Sequence, residues 1–217
     1  MRTITVPFCL LLVLTLLSGC GSLETTNQES PEKLTNEALE AFRYGDYHEA
    51  LELFTEIKEK FPFSRFSLLA ELKSADANFY LKNYAEARAL YEEFEEKHPT
   101  NEAIPYVLFQ IARCHYTRID AVDRDTSGAK DAINTLNRLL KAYPNSPYTA
   151  QAKVMIADAR SFLARHELFV ANFYIRTEEP QQAIGRLEYL LTNYPETEAA
   201  GKAGELLREL KSEATAQ

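Results

Sequence analysis

The side chains with chemistry to offer are few and scattered. The histidines are His48, His98, His115 and His166, and the cysteines are Cys9, Cys20 and Cys114. No His-Glu-x-x-His or Cys-x-x-Cys spacing gathers zinc ligands on one face. Cys114 and His115 are adjacent. Adjacent residues on a helix point about 100° apart and cannot share a metal ion; His166 and Glu167 have the same geometry. There is no Gly-rich phosphate loop and no Gly-x-Ser-x-Gly elbow. Acidic pairs such as Glu92-Glu93 and Glu95-Glu96 read as a solvated helix face. The formal charge of -8 over 217 residues argues against a nucleic-acid partner, which needs a basic stripe. The chain therefore reads as no enzyme, with no metal site and no catalytic residues. Cys9 lies inside an apolar run, and Cys114, alone in a helical stretch, reads as a small packed hydrophobe. Cys20 is the thiol placed for chemistry.

What places it is the leader. Residues 1–19 have a short basic start and an apolar run from Val6 to Leu17. That run suits a signal peptide and is too short for a membrane span. Leu17-Ser18-Gly19-Cys20 resembles the lipobox of bacterial lipoproteins. The resemblance implies cleavage before Cys20, S-diacylglycerol on its thiol and an N-palmitoyl group on its amine. Multiple acyl chains anchor firmly where one binds only marginally. Gly21 stands where many inner-membrane lipoproteins carry Asp, which favours the outer membrane. Residues 20–30 are small, polar and aperiodic, the composition of a flexible tether.

The rest of the chain is organised by one pattern used four times. Ala50–Pro62, Ala87–Pro99, Ala132–Pro144 and Ala183–Pro195 each set an Ala twelve residues before a Pro. Phe54, Tyr91, Leu136 and Leu187 follow the Ala by four, and Phe61, His98, Tyr143 and Tyr194 precede the Pro. A small residue and a bulky one at i and i+4 share a helix face, and the Pro stops the helix. This is the second helix of a tetratricopeptide (TPR) unit. Ala38, Ala75 and Ala171, each twelve before a repeat Ala, mark first helices; Ala112 is eight residues early, so the third unit carries an insertion, Ile119–Gly128. The expected fold is all-α: a TPR-like helical-repeat solenoid of about five antiparallel helix pairs. Units one to three occupy 31–147 and units four and five 148–211, with a disordered tail at 212–217. Between Tyr148 and Glu179 no strong breaker occurs, and this stretch is read as two helices bending near Ala164-Arg165-His166.

Several strings then resemble a known family. They include Phe61-Pro62-Phe63, His98-Pro99-Thr100, Pro105-Tyr106-Val107, Asp123-Arg124-Asp125 in the inserted loop, Tyr143-Pro144-Asn145-Ser146, and Tyr194-Pro195-Glu196-Thr197. With the lipobox and the repeats they resemble the BamD family, lipoproteins of the outer-membrane β-barrel assembly machinery. The resemblance implies a scaffold on the periplasmic face of the outer membrane. Its implied partners are the POTRA domains of a BamA-like barrel protein, unfolded outer-membrane proteins, and other lipoproteins of the machinery. It places Arg186 at the BamA contact. Phe61, Phe63, Phe66 and Tyr106 are the candidates for a groove that takes precursor segments. The other reading of the same repeats and anchor is a TPR scaffold in secretin piloting or cell-wall synthesis.

Overall fold

The computed structural model describes residues 30–216. The signal peptide, Cys20 and the tether up to residue 29 lie outside the described residues. Among those described there are nine helices. They are α1 Pro31–Tyr44, α2 Tyr47–Lys60, α3 Ser67–Tyr80, α4 Tyr84–Lys97, α5 Ile104–Tyr116, α6 Ser127–Ala142, α7 Thr149–Arg176, α8 Pro180–Asn193 and α9 Glu198–Ala216. Each packs on the next in sequence, and α9 also reaches back to α7. The result is a one-dimensional stack in which a helix meets its chain neighbours and little else, the hallmark of a solenoid. None of these helices is long and apolar enough to cross a membrane.

The repeat pattern maps directly onto burial. Ala50, Phe54 and Ile57 of α2 are fully buried, as are Ala132, Leu136 and Leu139 of α6 and Ala183, Leu187 and Leu190 of α8. Ala87, Tyr91 and Phe94 do the same for α4. These i, i+4, i+7 triplets form the apolar stripe of each second helix. The first-helix alanines 38, 75, 112 and 171 are completely buried against them, where a larger side chain would force the helices apart. Cys114 is buried as well, and burial pushes its thiol up to about 12.

The turns inside the units are copies of one another. At the end of α1, Gly45 is left-handed (φ 85°), its N–H donates to Phe42 O, and Asp46 N–H donates to Ala41 O at 2.9 Å. Lys82 (φ 64°) and Glu178 (φ 59°) take the same conformation after α3 and α7. Asn83 N–H reaches Asn78 O and Glu179 N–H reaches Tyr174 O, each at 2.9 Å. This is the Schellman closure, which satisfies the last carbonyls of a helix and favours Gly at the left-handed position. The aromatic after the turn folds back on the first helix: Tyr47 on Phe42 and Tyr84 on Phe79, with ring centroids 5.2 and 5.3 Å apart.

Two regions depart from this regularity. Where two helices meeting near Ala164–His166 are expected, α7 is one unbroken helix of 28 residues, about 42 Å along its path. It holds no Gly or Pro, and Ala164 is a buried helix former. Its first two turns, through Ala152, Met155 and Ile156, pack with the core of α3–α6, while from Ala159 onward it joins the C-terminal core as the first helix of the α8 unit. The inserted segment between α5 and α6 folds back on the stack. His166 of α7 lies 2.6 Å from the Val122 carbonyl through Nδ1, and Ile119 and Val122 join the C-terminal core. Arg118 reaches Asp125 at 3.3 Å and Asp131 at 3.6 Å. At Gly128, a Cβ would stand 2.9 Å from the His115 carbonyl, so glycine is what lets α6 start against the end of α5. The last helix runs to Ala216, past the Lys211 at which the sequence reading ends it.

Candidate functional site

The first helices α1, α3, α5 and α7 form one wall of the solenoid, joined by side chains rather than by close helix packing. Lys73 of α3 lies 4.9 Å over the ring of Phe42, and Tyr80 stacks on Tyr47 at 4.7 Å. Arg113 of α5 lies 4.3 Å over Phe79. Phe109 stacks on Tyr148, just before α7, at 5.1 Å. Aromatic pairs and cation–π contacts of this kind add about 0.5–1.5 kcal/mol each beyond the area they bury.

Behind this wall sits a polar network centred on Asp76, which is only 1% exposed. Its Oδ1 accepts from the Tyr91 hydroxyl at 2.6 Å and from the Tyr106 hydroxyl at 2.7 Å, and its Oδ2 accepts from Lys73 Nζ at 2.7 Å. Gln110 Nε2 donates to the Tyr106 oxygen at 2.6 Å, and Arg113 donates to Gln110 Oε1 at 2.9 Å. A buried carboxylate is tolerable only with partners of this number and kind. Burial and the Asp76 carboxylate hold both phenols well above their usual range. The network fixes Tyr106, Gln110 and Arg113 in place on the wall. Beside Arg113, residues Phe109, Ala150, Gln151, Val154 and Met155 line an open groove of about 610 Å³. A mostly apolar trough with a guanidinium at its rim can take apolar side chains of an extended segment and neutralise a carboxylate. It offers no nucleophile or general base.

The four groove candidates read from the sequence do not form one surface. Tyr106 is in the wall network. Phe61 and Phe66 pack against the core of α1, α2 and α3. Phe63 stands at 101% exposure on the corner after α2. Asp76, Lys73, Gln110 and Arg113 are the residues that sequence reasoning missed. A signal existed in Gln110 and Arg113, two polar residues inside the strongly apolar stretch Ile104–Tyr116.

Arg186, on α8, donates to Glu167 of α7 at 3.1 Å and is 45% exposed, whereas Glu167 is 13% exposed. Its near neighbour Glu188 instead takes Lys211 of α9 at 2.8 Å. Arg186 therefore presents a half-open guanidinium held in place by an inner carboxylate. Cys20 lies outside the described residues.

Similar proteins extend these observations. A family model described as "Outer membrane lipoprotein" matches residues 27–216. The outer membrane protein assembly factor BamD of Vibrio cholerae is 32% identical over 207 residues, covering 90% of this chain and 86% of that protein. The BamD of Pasteurella multocida is 28% identical over 203 residues, covering 89% of this chain and 78% of its own length. Among solved structures, a thermophilic TPR protein of Thermus thermophilus is similar at 14% identity and a TM-score of 0.48, covering 82% of this chain and 99% of that one. With the family pattern running from residue 27 to residue 216 and these relatives aligned along most of their length, the chain belongs to the BamD family of outer membrane lipoproteins.

Proposed function

We propose that this chain is a non-enzymatic assembly factor of the outer membrane, anchored on the periplasmic face through acyl chains on Cys20. Its first-helix wall receives segments of unfolded barrel proteins, and its C-terminal units hold the POTRA domains of a BamA-like protein. The observation that carries the reading is family membership over residues 27–216 joined to a wall whose exposed groups suit an extended chain. Within the wall, Val154 and Arg113 supply the contact over a floor that includes the buried Phe109, and Tyr106 orients Arg113 through Gln110. Of the four groove candidates read from the sequence, this surface keeps Tyr106 and leaves out Phe61, Phe63 and Phe66. Arg186 faces the POTRA partner, where a partner carboxylate would share the guanidinium with Glu167.

Calorimetry with a purified POTRA domain tests the C-terminal half. Arg186→Gln keeps the size of the side chain and avoids setting a new carboxylate against Glu167; affinity should fall about tenfold, the worth of one charge-assisted contact. Unchanged affinity would remove Arg186 from the interface. For the wall, Arg113→Ala should weaken binding of an unfolded barrel-protein segment without altering POTRA binding. The anchor is tested separately: Cys20→Ser should move the protein from the membrane to the periplasmic fraction.

A further inference from the structure

The solenoid turns four corners after its second helices, and all four share one backbone geometry. Ser64 N–H donates to Phe61 O, Asn101 to His98 O, Ser146 to Tyr143 O and Thr197 to Tyr194 O, at 3.0–3.2 Å. Three residues on, Ser67, Ile104, Thr149 and Ala200 each donate back into the turn at 3.1 Å. With the backbone held constant, the side chains can be compared position by position. The residue after the Pro is exposed in every corner, and it is Phe63, Thr100, Asn145 and Glu196 in turn. Two residues later stand Arg65, Glu102, Pro147 and Glu198. Three corners thus offer polar, acidic or neutral groups to solvent. The first alone offers a fully exposed aromatic ring followed by a cation.

Packing does not account for Phe63. Phe61 and Phe66, on either side of it, join the core of the first unit, while Phe63 covers nothing at 101% exposure. The Arg65 guanidinium lies over the Phe66 ring at 4.7 Å, which holds it at the surface. Lys58, Glu59 and Lys60 end α2, so residues 58–66 are net basic in a chain whose total charge is -8.

Position says what such a corner meets. Helices α1 and α2 have 14 residues each and are joined by a two-residue turn, so α2 returns to the end from which α1 starts. The Phe63 corner therefore lies beside Pro31. Ser30 follows Cys20 by ten residue steps, and that length of chain reaches at most about 35 Å. An acyl chain on Cys20 would keep the corner within that distance of the lipid surface, at an effective concentration that makes a weak contact count.

We infer that the Phe63 corner is a second, noncovalent membrane contact. Phe63 enters the interfacial layer of the leaflet that holds the acyl chains, and Arg65 sits at the lipid phosphates. Interfacial aromatics and basic residues near anionic headgroups each contribute attraction of this sort. The contact fixes the first end of the solenoid against the bilayer, so that the wall is presented in one orientation. The inference rests on the anchored reading of Cys20.

The chain has no tryptophan, which supplies the test. Lipidated Phe63→Trp protein, purified from outer membranes, is placed in vesicles of phosphatidylethanolamine and phosphatidylglycerol at about 3:1, an anionic surface of the kind basic residues bind. Thr100→Trp is the matched second corner. Flotation of the vesicles first reports the anchor; protein that stays in the aqueous fraction overturns the anchored reading and the inference with it. In floated Phe63→Trp protein the indole should emit at blue-shifted wavelengths and be quenched at least about twofold by brominated lipid, as for an aromatic at the interface. In floated Thr100→Trp protein the indole should behave as in water. Adding Arg65→Glu to the Phe63→Trp protein should abolish most of the lipid quenching. Floated Phe63→Trp protein whose indole emits as in water overturns the membrane contact and leaves the anchor standing. A blue shift that requires added POTRA domain or unfolded barrel segment, with no lipid quenching, also overturns it and assigns the corner to a protein partner.

Discussion

Asp76 receives three donors from three different directions, and its consequences are those of a single carboxylate. Tyr91 comes from the second helix of the same unit, Tyr106 from the first helix of the next, and Lys73 from one turn before. Removing the carboxylate leaves two phenols and an ammonium without their acceptor. Asp76→Ala should cost about 3–5 kcal/mol, measured by urea unfolding, as expected when one member of a buried network is lost. Tyr91→Phe is milder, at about 1–2 kcal/mol, because Asp76 keeps two donors. The same pair gives a pH signature. Burial and Asp76 raise the Tyr91 phenol well above its ordinary value. Below about pH 10 the phenol is protonated in both the folded and unfolded chain, so its contribution is constant. Above that pH the unfolded chain releases the proton and the folded one keeps it, so stability falls by up to about 1.4 kcal/mol per pH unit for this group. Thermal midpoints measured between about pH 9 and 11 should drop less steeply in Tyr91→Phe than in the parent.

Helix ends carry the next level of information. Three units close with the same left-handed turn, and only the first uses glycine. Lys82 and Glu178 hold the conformation against a steric cost of about 1 kcal/mol, because the closure satisfies the carbonyls of α3 and α7. Lys82→Gly should raise stability by about 0.5–1 kcal/mol with no change in fold, read from the shift in the urea midpoint. Gly128 is the opposite case. It begins α6 against the backbone of α5, where a Cβ would press on the His115 carbonyl and on Arg118. Gly128→Ala should destabilise by about 1–3 kcal/mol and loosen the inserted segment, visible as faster amide exchange between residues 117 and 127. The pair of glycines shows why composition misleads at this scale: one glycine relieves strain that lysine tolerates in the next unit, and the other is required by a neighbour in space.

At the scale of the molecule, α7 decides how the solenoid behaves. A stack of nearest-neighbour units would melt from its ends, but one 28-residue helix belongs to both the central core and the C-terminal core. The handover falls between Ile156 and Ala159: Ala159→Pro removes a helical hydrogen bond there and costs at least about 3 kcal/mol. Calorimetry should then resolve two transitions where the parent shows one. The sequence by itself determined the repeat, because small and bulky residues at fixed helical spacing and a Pro after each helix are local demands that every copy meets. Its burial triplets, its first-helix alanines and its family strings were readable for that reason. Tertiary structure alone decided how α7 is shared: Ala152, Met155 and Ile156 join the central core and Ala159, Phe162 and Leu163 the C-terminal one, a division set by which neighbouring helices each turn meets. It also decided the site. Asp76, Tyr91, Tyr106 and Arg113 are separated in sequence and meet only because successive helices return antiparallel, a consequence of packing that no local pattern states. Phe61, Phe63 and Phe66 illustrate the converse: three aromatics within six residues read as one cluster, and a single tight corner sends two of them into the core and one into solvent.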